Sequence, residues 1–331
     1  MGPWIVLGLV PYPLILLLDS LGWRELFHRK DRPSLGALFG ARLVAESVSQ
    51  CVPSGGMAGE VVTVWRIRGP GRSIGPVTGT IVLRRILLAL GHGLTLALAA
   101  AVSAAGISSW TRSGHAALLA SASAALLTLA LGGASLARAG PASRLPGALA
   151  RLPLPPVFRD RLAAQALVLA EADRGLARFF AGPARRRRAP AALFFLVFLG
   201  ESAETWLLLR LLGCSLSFAD VLSFEALLSL VRALAVFVPA GLGVQDAGYL
   251  GALSLAGVPH AASVGAAFVL LKRGKEALWA TAGLLLLAPR RRGGRSPREG
   301  EDDGIAADPL HRGLPQPDLT DAPDRARAPR P

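Results

Sequence analysis

Apolar residues run for the length of a membrane span several times along this chain, and the interruptions between those runs are basic. A hydrocarbon core about 30 Å thick takes about 20 residues of helix at 1.5 Å each. Four stretches meet or approach that length cleanly: Pro76 to Ala105, Ala116 to Ala137, Ala191 to Leu212 and Ala261 to Ala288. A further run, Trp4 to Leu18, has the length of a signal peptide but neither a basic n-region nor a small-x-small cleavage site, so it reads as a short first span, clipped at its start. Pro11 and Pro13 predict a kink within it. Two more segments, Ser34 to Val52 and Ala219 to Val238, have the length yet contain charge, and each runs straight into a proline-glycine break.

The expected fold is therefore all-α, a polytopic transmembrane helical bundle. Loop charge orients it, because Lys and Arg stay on the cytoplasmic side. Arg24 to Arg32, Arg66 to Arg72, Arg138 to Arg188 and Arg290 to Arg292 are basic, whereas Gly106 to Gly114 and Gly213 to Asp220 hold one arginine between them, Arg112. Alternation then requires residues 34–64 to enter and leave on the cytoplasmic side and residues 219–258 on the outer side. Both become re-entrant hairpins, arranged as an inverted repeat.

Between the spans, Arg159 to Phe180 places Leu162, Ala166, Leu169, Ala172, Leu176 and Phe179 at helical intervals opposite charged residues. This predicts an amphipathic helix on the membrane surface, within a cytoplasmic segment of about 138–190. The block Arg185 to Arg188 that follows would hold the next span at anionic headgroups. Residues 1–288 are expected to form the transmembrane domain. Beyond Pro289 the chain turns rich in Pro, Arg, Asp and Gly, which predicts a disordered cytoplasmic tail, 289–331, too short for a catalytic domain.

Composition agrees with the pattern: 52% of the 331 residues are hydrophobic and mean hydropathy is +0.46. The formal charge of +14 suits contact with anionic lipid; aromatic residues are not interleaved with the basic clusters, which argues against nucleic acid. Cys51 and Cys214 stand far apart, and the five histidines lack HExxH or HxH spacing, so no metal or redox centre is expected. No GxxxxGK[ST] sequence is present, and no cofactor is implied.

The two breaks repeat one another. Val52-Pro53-Ser54-Gly55-Gly56 precedes Glu60, and Val238-Pro239-Ala240-Gly241-Leu242-Gly243 precedes Asp246, each acid seven residues after its proline. Glu46 and Arg232 lie seven residues before the prolines, an opposite-sign match that suggests complementary partners. Arg85 and Arg273 follow the acids by 25 and 27 residues, each inside the next long segment. Proline stops a helix, glycine permits close backbone approach, and the restarting helix offers free N–H groups to an anion. Irregular backbone at membrane depth survives where it lines a polar cavity, and paired breaks in two halves point to a midplane binding site. Arg42, Glu46 and Gln50 share one helix face, as do Glu225, Ser229 and Arg232; Glu201 and Glu204 sit near the centre of a span. Each such charge costs at least about 2.5 kcal/mol in lipid, so these side chains must face each other or water.

At these residues the chain resembles the flippase-like family, the transmembrane region of lysylphosphatidylglycerol synthases and its stand-alone relatives. The likeness rests on Pro53-Ser54-Gly55-Gly56 with Glu60, on Arg85, on Pro239-Ala240-Gly241-Leu242-Gly243 with Asp246, and on Arg273 before Gly283, and spans about residues 34–288. It implies a cell-membrane protein that moves or holds lipid-linked molecules, without a cofactor. The soluble aminoacyl-transferase half of the synthases has no counterpart here, so no enzymatic activity is expected. Asp246 replaces the family's frequent Glu, and Arg84 stands where an acid commonly precedes the span arginine, which implies a more anionic ligand. The resulting expectation is a flippase or carrier whose site comprises Arg42, Glu46, Pro53, Gly55, Gly56, Glu60, Arg85, Glu201, Arg232, Pro239, Gly241, Gly243, Asp246 and Arg273. The competing expectation is an accessory subunit that recruits a lipid-synthesis enzyme. A membrane-embedded transferase is disfavoured, since the outer loops supply only Asp220 as a positioned acid.

Overall fold

A computed structural model describes residues 3–52, 57–68, 74–108, 113–140, 156–234 and 243–287, all within one compact unit, Met1–Pro289. Among the described residues the regular structure is entirely helical. After a short 3₁₀ turn come α1 (Pro11–Leu26), α2 (Leu35–Cys51), α3 (Met57–Ile67), α4 (Gly75–Ala104) and α5 (Ser113–Arg138). Then follow α6 (Pro156–Ala181), α7 (Ala184–Leu211), α8 (Phe218–Leu234), α9 (Val244–Leu255) and α10 (Ala261–Leu287). Pro53, Gly55, Gly56, Pro239 and Gly241 lie outside the described residues, as does the expected tail.

Among the described residues, four segments are long and apolar enough to cross a bilayer: Val6–Leu26, Gly75–Ala104, His115–Arg138 and Ala184–Leu211. The first corrects the sequence reading. It runs on to Leu26 rather than stopping at Leu18, because Asp19 is taken into the bundle instead of marking a boundary. Pro11 and Pro13 fall in the first turn of α1, where the missing N–H groups have no helical acceptor to lose, and the span changes from 3₁₀ to α-helix at the place where the sequence predicts its kink. The expected span Ala261 to Ala288 is helical over 27 residues, yet Lys272, Arg273, Lys275 and Glu276 put it outside the apolar set. With 11 and 12 residues, α3 and α9 reach only about 16–18 Å, too short to cross alone.

Close helix contacts come from small residues, as expected where lipid supplies no hydrophobic drive between helices. A methyl added to Gly91 would press on the Phe194 backbone of α7, one on Gly79 on the Ala172 carbonyl of α6, and one on Gly283 on the Leu43 carbonyl and Ser47 hydroxyl of α2. Around these contacts sit three apolar cores. One centres on Trp23, Leu38, Leu83 and Phe194, a second on Leu208, Phe224, Tyr249 and Phe268, a third on Leu96, Leu119 and Leu222. The Trp23 indole, fully buried, donates to Thr80 Oγ1 at 3.0 Å.

The amphipathic pattern of α6 is real, but its burial has a different cause. Ala172, Leu176 and Phe179 are buried, packed on the start of α4, so protein covers this part of the face the sequence assigned to the membrane surface. Arg187, from the four-arginine block, donates to the carbonyls of Phe180 and Gly182 at 2.7 and 2.6 Å and so closes the end of α6.

Candidate functional site

Polar side chains from α1, α2, α3, α4 and α7 converge on a cavity of about 340 Å³. Its centre is Asp19, 4% exposed, which is gripped from two sides. Arg84 donates from Nε to Oδ1 at 2.9 Å and from Nη2 to Oδ2 at 2.8 Å, the bidentate fork that suits a carboxylate; Arg42 Nε adds a third bond at 2.8 Å. Glu60, in the first turn of α3, receives Arg84 Nη1 at 3.1 Å and Arg85 Nη2 at 2.8 Å, with Arg42 at 3.8 Å. Glu46 stands 3.8 Å from Arg42, one helical turn away on α2. Tyr12, Ser49, Phe198 and Glu201 also line it, beside the apolar Ile15, Leu16, Leu88 and Val197.

Local sequence explains this convergence. Arg42 and Glu46 share a face because they are four residues apart on α2, which Ser34 caps by accepting from the Ala37 N–H at 3.2 Å. Gly59 lets α3 lie directly on α2, since a side chain there would strike the Ala45 carbonyl and Ser49 hydroxyl. That contact carries Glu60, the next residue, to the arginines of α4.

The second half builds a related arrangement. Asp246, in the first turn of α9, accepts from Arg273 Nε and Nη2 of α10 at 3.0 and 2.7 Å. Its other oxygen accepts the Gly243 N–H at 3.1 Å, with Gly243 at φ +79°, a conformation glycine adopts without a steric penalty. Arg273 Nη1 also reaches Glu276 at 2.8 Å. Thus the two acids behind the breaks and the two arginines that follow them are joined in pairs, Glu60 with Arg85 and Asp246 with Arg273. Glu46 and Arg232 are not partners of each other, contrary to the opposite-sign expectation. Each turns instead to a charge on its own helix: Arg232 Nη2 lies 3.6 Å from Glu225 as Glu46 lies near Arg42.

Glu225 heads a network that the spacing did not reveal. It accepts from Thr205 of α7 and from the Tyr249 hydroxyl of α9 at 2.7 Å, while Lys272 of α10 lies 3.6 Å away and donates to the same hydroxyl. Beside it, a smaller cavity is lined by His92, Phe198, Glu201, Glu225, Ser229 and Arg232. His92 shares a 2.7 Å hydrogen bond with Ser229 and stacks on Phe198 at 4.7 Å. Deeper still, Lys275 is ion-paired to Glu204, both buried.

Asp19 is the functional-site residue that sequence reasoning missed. It also revises the charge argument, because the additional arginine, Arg84, is matched by Asp19 rather than left to raise the local potential. The signal available was an acid directly after the apolar run, with Leu21, Gly22 and Trp23 following before the next charge at Arg24.

A family model described as the lysylphosphatidylglycerol synthase TM region matches residues 1–273. Neither a curated protein nor a solved structure matches the chain.

Proposed function

The chain belongs to the lysylphosphatidylglycerol synthase transmembrane-region family, and from that premise we propose that this multi-pass membrane protein is a flippase or carrier for an anionic or lipid-linked headgroup. The observation that supports this reading best is the 340 Å³ cavity, in which three guanidinium groups and four carboxyl groups meet among helices long enough to span a bilayer. Charges so placed are expensive unless a polar ligand or water uses them. In this reading α2–α3 and α8–α9 are re-entrant hairpins entering from opposite leaflets. Arg42, Glu46, Glu60 and Arg85 line the headgroup path in one half, with Arg232, Asp246 and Arg273 in the other, while acyl chains stay in lipid. The protein resides in the cell membrane with a cytoplasmic C-terminus.

Reconstitution tests this directly. In vesicles of phosphatidylcholine and phosphatidylglycerol containing a trace of fluorescent phosphatidylglycerol, wild-type protein speeds passage between leaflets, read by quenching of the outer label. Arg85→Ala and Arg273→Ala each remove that acceleration. Equal rates with and without wild-type protein would end the proposal; a lipid-synthesis enzyme that co-purifies, and is lost on deleting residues 289–331, would then favour the accessory role.

A further inference from the structure

The large and small cavities are separated by a single turn of α7. Phe198 and Glu201, three residues apart, line both. Among the described residues, the other acids at and around the two cavities have a cation or donor: Asp19 has Arg42 and Arg84, Glu46 has Arg42, Glu60 has Arg84 and Arg85, Glu204 has Lys275, Glu225 has Thr205 and Tyr249, and Asp246 has Arg273. Among the described residues, Glu201 has neither a hydrogen bond nor an ion pair, and its carboxyl borders open space. A permanently ionised carboxylate in that position costs at least about 2.5 kcal/mol without a donor, whereas a cavity of this size can bring it water.

We propose that Glu201 is the proton-binding group of a proton-coupled lipid carrier, reached by water from the large cavity in one state and from the small cavity in the other. This inference rests on the carrier reading above. Glu201 takes one proton from water on one side, crosses the partition neutral, and returns that proton to water on the other; no other bond changes. The groups facing it fit such a cycle. From the small cavity come Arg232 and Glu225 of α8 and His92 of α4, with Lys272 of α10 behind Glu225. From the large cavity come Tyr12 and Asp19 of α1, Arg42 and Glu46 of α2, Glu60 of α3 and Arg84 and Arg85 of α4, whose cations are already held by acids; Glu204 lies one turn along α7. Movement of a lipid headgroup that borrows those arginines would change which side can receive the proton.

The test uses the full chain in the same vesicles, with the lumen buffered one pH unit away from the outside. For one proton per lipid, the leaflet ratio of labelled phosphatidylglycerol shifts by up to about tenfold, since one pH unit is 1.36 kcal/mol. The shift vanishes when nigericin collapses the gradient. In Glu201→Gln the ratio is the same with and without the gradient, whatever the rate; Glu201→Asp, which keeps an acid, restores a gradient-dependent ratio. Infrared difference spectra between acid and alkaline pH show a protonated-carboxyl band that Glu201→Gln removes and Glu204→Gln does not. A wild-type protein that translocates lipid with no response to the gradient overturns the coupling and leaves the carrier reading intact. Absence of the Glu201 band overturns the coupling whether or not lipid moves, and absence of all translocation overturns both.

Discussion

Asp246 divides its carboxylate between two duties: Oδ1 takes two bonds from Arg273, at 3.0 and 2.7 Å, and Oδ2 caps the helix on which Asp246 itself stands. Helix start and ion pair therefore depend on one side chain. A double-mutant cycle of Asp246→Ala and Arg273→Ala, followed by thermal unfolding in detergent, is expected to give a coupling energy of about 1 kcal/mol, modest because both side chains are partly exposed. Asp246→Ala costs more than Arg273→Ala, because it removes the cap as well.

Asp19 separates two buried arginines. Asp19→Asn removes the carboxylate between Arg42 and Arg84, leaves them only Glu60 and the more distant Glu46, and is expected to destabilise the protein by about 3 kcal/mol. Glu46→Gln, on a side chain 41% exposed and 3.8 Å from its partner, changes stability by less than about 1 kcal/mol. Denaturation midpoints of the two variants measure the difference; equal losses would contradict the central role given to Asp19.

Adjacent arginines on α4 are expected to part company. Arg84 is buried with bonds to two acids, whereas the Arg85 side chain is 50% exposed at the cavity. Arg84→Ala is expected to reduce the yield of folded protein. Arg85→Ala is expected to leave folding nearly unchanged and to lower lipid translocation by at least about tenfold, as for loss of one charged hydrogen bond of about 1.5–3 kcal/mol.

Two glycines of α10 give a steric comparison. Gly274 has open space where a methyl would go, so Gly274→Ala is expected to stabilise the helix by up to about 1 kcal/mol. Gly283→Ala forces a methyl against the Leu43 carbonyl and destabilises by about 1–3 kcal/mol. Thermal midpoints of opposite sign are the expected result.

How far the sequence carried this picture varies from residue to residue. The repeat of break, acid and arginine marked Glu60, Arg85, Asp246 and Arg273 as site residues, but their ion pairs join different helices, α3 to α4 and α9 to α10, and spacing along the chain does not give that packing. The pairing of Glu46 with Arg232 failed because offset symmetry says nothing of depth or direction, and a charge four or seven residues away on the same helix is closer than one on another hairpin. Asp19 was illegible because a charge at the end of an apolar run looks like the membrane boundary; only the arrival of Arg42 and Arg84 from elsewhere makes it interior. Amphipathicity identified α6 but could not say that Gly75 and Gly79 of α4 leave a groove for it. The network around Glu225 depends on Tyr249 and Thr205, uncharged residues that hydropathy passes over.

The contact at Gly283 has a mechanical corollary. Because α10 lies against α2 there and against α9 through Gly265, it is a strut common to these two helices. Tilting α2 or α9 must drag this strut, and with it Arg273 and Lys272, so motions of the two helices are geared to each other rather than independent.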